Sequence, residues 1–122
     1  MTEELQEFAK LLIDVRDSSI KDCDKMFTDK SKGPSALRWQ DAKLNDKEKL
    51  PEMMIADCVD TALANLLLAI DQGLLNITFK SSSDKEINLT ENGELTGWFM
   101  GSDGWRAQYS KERYIDDFKD LA

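Results

Sequence analysis

Apolar side chains recur three or four positions apart from Thr2 to about Thr28, at Leu5, Phe8, Leu12, Val15, Ile20, Cys23, Met26 and Phe27, with Ser19 in the same series. This is the period of a helix that buries one face, and it predicts a long N-terminal helix. Thr2 is placed to cap it, and Glu3 and Glu4 complement the positive end of its dipole. The pattern breaks at Ser31, Lys32, Gly33, Pro34 and Ser35, so Lys30 to Leu44 reads as a loop or loosely structured connector.

Asn45-Asp46-Lys47-Glu48 pairs a capping residue with a glutamate three positions on, which suits the start of a helical turn. Pro51 lacks an amide hydrogen, so the helix either kinks there or begins there. From Met53 to Gln72 helix formers dominate, and Gly73 is a fitting terminator. Met54, Cys58, Val59, Ala62, Leu63, Leu66, Leu67, Ala69 and Ile70 cover more than one stripe, which predicts a central helix buried on two sides.

Beyond Gly73 the period falls to two. Leu75, Ile77 and Phe79 alternate with Asn76, Thr78 and Lys80, and Ile87 and Leu89 alternate again after a polar turn at Ser81 to Lys85. Asn92-Gly93 suits a tight hairpin into a third strand at Leu95 to Met100, and Trp105 to Tyr109 is long enough for a short fourth. Ser110 is expected to cap a closing helix whose Tyr114, Ile115, Phe118 and Leu121 face inward. The sum is a single α+β domain over residues 1–122: a long N-terminal helix and a central buried helix on a three- to four-stranded antiparallel sheet, with a closing C-terminal helix.

Charge narrows the partners. The 122 residues carry 24 acidic and 16 basic side chains, a net charge of -8, which argues against direct binding to nucleic acid or an anionic membrane and favours a basic protein partner. The segment 30–50 is the locally positive exception, with six basic residues against three acidic ones; it either lies against an acidic helix face or is mobile. Met1 to Lys10 holds three glutamates and no basic start before an apolar run, so no secretory signal is expected and the cytoplasm is the expected location. The apolar stretch Thr61 to Ile70 is about half of a bilayer span, so no membrane segment is expected either. Asn76-Ile77-Thr78 and Asn88-Leu89-Thr90 match the glycosylation pattern, without consequence in the absence of export.

Candidate chemistry is sparse. The chain has no histidine, which removes the imidazole-dependent triads, the commonest acid-base group at neutral pH and the usual zinc ligand. Cys23 and Cys58 stand 35 positions apart among apolar neighbours and read as small hydrophobes, with a disulfide or redox role as the alternative. No phosphate-binding glycine loop and no calcium loop is present, so no cofactor, metal or catalytic residue is assigned. Carboxylates are the remaining resource: Asp57, Asp60 and Asp71 share one helix side with Thr61, Asn65 and Gln72, and segment 51–73 has four acids and no base. The plain account is the solvated side of a buried helix; the functional one is a recognition surface for a cationic partner. Trp98 and Trp105 are read first as core residues, while Trp105, Arg106 and Tyr109 beside an acidic surface also fit interface anchors.

The expected partner-binding set is therefore Asp57, Asp60, Asn65, Asp71, Trp105, Arg106 and Tyr109. In size, acidity and architecture the whole chain resembles the small immunity proteins of bacterial contact-dependent and polymorphic toxin systems. That resemblance implies a binding protein, not an enzyme, that inhibits a cognate toxin by direct contact. An acidic regulatory or nucleic-acid-mimicking module is the alternative, and a carboxylate- or metal-dependent hydrolase a third; the residues do not specify an oligomeric state.

Overall fold

The computed structural model describes residues 1–28 and 32–115. Helix α1 spans Glu3–Phe27, and Thr2 caps it as expected, its Oγ1 accepting from the Leu5 N–H at 3.1 Å. Helix α2 spans Pro34–Asn45 and helix α3 Leu50–Asp71. Strands β1 (Thr78–Lys80) and β2 (Glu86–Asn88) form one antiparallel hairpin, and two short helices follow, α4 (Leu95–Met100) and α5 (Trp105–Tyr109).

The expected connector is thus largely helical. Gly33 and Pro34 mark a helix start, with proline in the first turn where its missing N–H costs nothing. Ala36, Trp39 and Ala42, spaced three apart, form the buried face of α2, and Trp39 is fully buried. The Gln40 amide donates to the Met26 carbonyl at 2.8 Å, and Lys43 donates to the Phe27 carbonyl while lying over its ring, so α2 folds back on the end of α1. Asn45 closes α2 by bonding Asp41 at 2.7 Å and does not cap α3, which starts without a side-chain cap.

α1 and α3 pack side by side. Asn65 donates to Ser19 and to the Asp22 carboxylate, both at 3.0 Å, while Leu11 and Val15 lie against the cluster of Ala69, Ile70, Leu75 and Leu95. Rising numbers on α1 meet falling numbers on α3, so the two helices are antiparallel. Leu66, Leu67, Ile77, Leu89 and Trp105 complete this small core. α3 is central, touching α1, α2 and α4, but it is not the enveloped helix expected, since Ile55, Val59, Leu63 and Leu68 are exposed. Counted from Leu50 rather than Thr61, it is also long and apolar enough to cross a membrane by length and composition.

The sheet is smaller than expected. Its two strands pair Phe79 opposite Ile87, and both side chains are exposed. Gly73 ends α3 in the left-handed region at φ 78°, as its position predicted. Gly93, at φ 70°, turns the chain not into a hairpin but onto the end of α3. There the Asp71 carboxylate accepts from the N–H groups of Leu95 and Thr96, each at 2.8 Å, and from the Thr96 hydroxyl at 2.8 Å. This cap, delivered by a residue 24 positions upstream, makes a helix of the segment that was expected to be the third strand. The expected fourth strand is α5, and residues 110–115 are not helical; the remainder of the expected closing helix, with Phe118 and Leu121, lies outside the described residues.

Candidate functional site

The polar side chains of α3 each pin a different neighbour. Asp57 is buried and takes two bonds from α2: Arg38 Nη2 donates to Oδ1 at 2.8 Å and Trp39 Nε1 donates to Oδ2 at 2.6 Å. Asp60 accepts from Arg106 Nη1 of α5 at 2.9 Å. Arg106 is itself buried, giving Nε to the Phe99 carbonyl at 3.2 Å and Nη2 to that of Met100 at 3.1 Å. Its guanidinium lies over the rings of Phe99 and Tyr114, at 5.6 and 5.1 Å from their centroids. Asn65 holds α1, and Asp71 holds α4.

These contacts explain the electrostatics. Burial pushes the Asp71 carboxyl up, but the N–H groups of Thr96 and Leu95 and the Thr96 hydroxyl outweigh it and hold its pKa below the ordinary value. The Arg38 and Asp57 side chains retain one-fifth or less of their free exposure, and their ion pair is joined by the bonds of Arg38 to Ser35 and of Trp39 to Asp57, which offset part of the cost of taking the charges out of water. The acidic side of α3 is therefore neither the solvated face nor an open patch.

Of the residues expected to meet a partner, Asp57, Asp60, Asn65, Asp71 and Arg106 are engaged inside the fold, and Trp105 packs on the core. Tyr109 stands open, 72% exposed, and so does Trp98 at about half. Sequence reasoning missed Arg38 and Trp39, although the spacing of Ala36, Trp39 and Ala42 was the signal of a helix face, and the basic stretch did have an acid to lie against.

A different surface is left open. Beside Leu11 and Val15, which face α3, α1 carries an apolar series at Leu5, Phe8 and Leu12, at i, i+3 and i+7. Among the described residues Leu5, Phe8 and Leu12 are 52%, 42% and 40% exposed. Beside them a cleft of about 250 Å³ runs between α1 and the end of α3, floored by Leu11, Val15, Leu68 and Leu74 and edged by Asp14 and Gln72. Up to Asp17, α1 carries five acids, Glu3, Glu4, Glu7, Asp14 and Asp17, against Lys10 and Arg16. The arrangement offers an apolar strip with a carboxylate border.

Among the described residues no group of three or more histidine, cysteine, aspartate or glutamate side chains is placed to hold a metal ion. No family model, no curated protein and no solved structure matches the chain.

Proposed function

We propose that this chain is a non-catalytic binding protein that takes a basic protein partner onto the open apolar arc of α1, in the manner of an immunity protein that blocks a toxin. The observation that carries the reading is Leu5, Phe8 and Leu12, exposed in series and bordered by Glu3, Glu4, Glu7, Asp14 and Asp17. Apolar anchors supply holding energy once desolvated, and the surrounding carboxylates steer a cationic surface toward them. A second copy of this chain is a poorer occupant, because each copy brings a net charge of -8 to the contact. Setting aside the internally paired Asp57, Asp60, Asp71, Arg38 and Arg106 leaves -7, so the surplus charge belongs to the rest of the molecule.

The experiment is affinity capture from cells that naturally make the protein, followed by measurement of stoichiometry and of the association rate against salt. The reading predicts a basic protein at one-to-one ratio whose association slows as ionic strength rises, since screening shortens to about 8 Å near 0.15 M. Recovery of an acidic partner, or an association rate indifferent to salt, contradicts it. A host polymerase or nuclease as the partner would replace toxin inhibition with nucleic-acid mimicry.

A further inference from the structure

Ile55, Val59 and Leu63, at i, i+4 and i+8, form one ridge along α3 and are 58%, 54% and 44% exposed, and Ala62 beside them is exposed too. Glu52, one turn before Ile55, bounds the ridge at its N-terminal edge. The polar side chains of the same stretch are held elsewhere: Asp57 is bonded to α2, Asp60 to α5 and Asn65 to α1. From Met53 to Leu68 Asp57 and Asp60 are the only charged residues, and each is paired inside its own chain, with Arg38 and Arg106. A molecule of net charge -8 thus carries, on its central helix, an open aliphatic surface without net charge.

We infer that this ridge is a self-association surface, on which a second copy of the chain packs α3 against α3 across a two-fold axis. Charge selects the occupant. A basic partner finds no carboxylate on the ridge to answer its own charge, whereas a two-fold contact sets one patch against the same patch, which like charges would oppose and an uncharged patch allows. A ridge that repeats every four residues also fits the grooves of an identical helix, the commonest way for two helices to pack, with their axes crossing at about 50°. The α1 arc differs on both counts, since five carboxylates border it and its spacing is not that of a single ridge. The ridge precedes Asn65 on α3 and the arc precedes Val15 on α1; with Asn65 bonded to Ser19 and Asp22 and the helices antiparallel, the two surfaces lie toward opposite ends of the pair. Self-association therefore leaves the arc open. The charge carried by the rest of each copy still repels, so the dimer tightens as salt rises, the opposite sign from that expected for a basic partner on the arc.

The test is sedimentation equilibrium of the full chain from about 1 μM to about 1 mM, a range that brackets weak self-association. The inference predicts a monomer–dimer equilibrium whose dissociation constant falls by about tenfold between about 50 mM and about 500 mM sodium chloride. Val59→Asp, at an exposed position, should keep the helical spectrum and weaken the dimer by about 100-fold, and Ile55→Asp should act in the same direction, while Phe8→Asp/Leu12→Asp leaves it unchanged. A monomer at every concentration and salt, a dimer that salt weakens, or a dimer that survives Val59→Asp and is lost in the α1 double variant would overturn the inference. So would a monomer that floats with phosphatidylcholine vesicles, which would give the ridge to a lipid surface instead.

Discussion

Trp39 donates its indole N–H to Oδ2 of Asp57 at 2.6 Å, joining the one fully buried large side chain among the described residues to a carboxylate held at its other oxygen by Arg38. An acid on an otherwise apolar helix thereby becomes the point where α2 is fixed to α3.

Replacing Asp57 by Ala removes one side of a buried pair and strands Arg38, whose side chain has little access to water. The loss of stability in urea titration is expected to be about 3 kcal/mol. Trp39→Phe keeps most of the packing and removes only the N–H, so it should cost about 1–2 kcal/mol. If Asp57→Ala unfolded at the same urea concentration as the wild type, the pairing would have no structural weight.

Asp71 makes stability depend on acidity in a definite direction. Its folded pKa lies below that of the unfolded chain, about 3.9 for aspartate, so its contribution is whole above that value and is lost as the pH falls from there through the folded pKa. Asp71→Ala should cost about 1–2 kcal/mol at neutral pH through the loss of the α4 cap. The difference between wild type and variant is expected to shrink on acidification below about pH 4. A difference that stayed constant down to about pH 2, in equilibrium unfolding at each pH, would contradict the cap.

Two glycines separate close approach from backbone conformation. A Cβ on Gly104, just before α5, would come to 2.0 Å from the Trp98 carbonyl oxygen, a backbone atom of α4. Gly104→Ala is expected to destabilise by about 2–3 kcal/mol and to disturb the near-ultraviolet signal of Trp98 and Trp105. Gly93 has open space around it and only its φ of 70° to answer for, so Gly93→Ala should cost about 1 kcal/mol and leave that signal alone. Thermal melts of the two variants side by side decide the matter; a Gly93 effect as large as that of Gly104 would refute the close-contact explanation.

What could be read from the chain was what local signals govern. α1 with its Thr2 cap, the body and Gly73 stop of α3, and the β1–β2 hairpin follow from periodicity and turn chemistry within a few residues of each position. What could not be read depends on residues far apart. The Asn92-Gly93 turn signal made Leu95 to Met100 read as a strand, yet the Asp71 cap makes it a helix. Asp57, Asp60 and Asp71 share a helix side and look like a surface, but each has its partner 18 or more positions away, which no window along the chain contains. The α1 arc was visible as a stripe, but which of its residues are left exposed depends on packing that no window along the chain contains.

The most direct test of the proposed binding role is the affinity of the captured partner for Phe8→Asp/Leu12→Asp, with Tyr109→Ala measured alongside. Phe8 and Leu12 are exposed in the free protein, so the double variant should keep its helical spectrum and lose affinity by about 100-fold, while Tyr109→Ala changes it by less than about threefold. A double variant that folds and binds as tightly as the wild type would contradict the claim that the open face of α1 is where the partner is held.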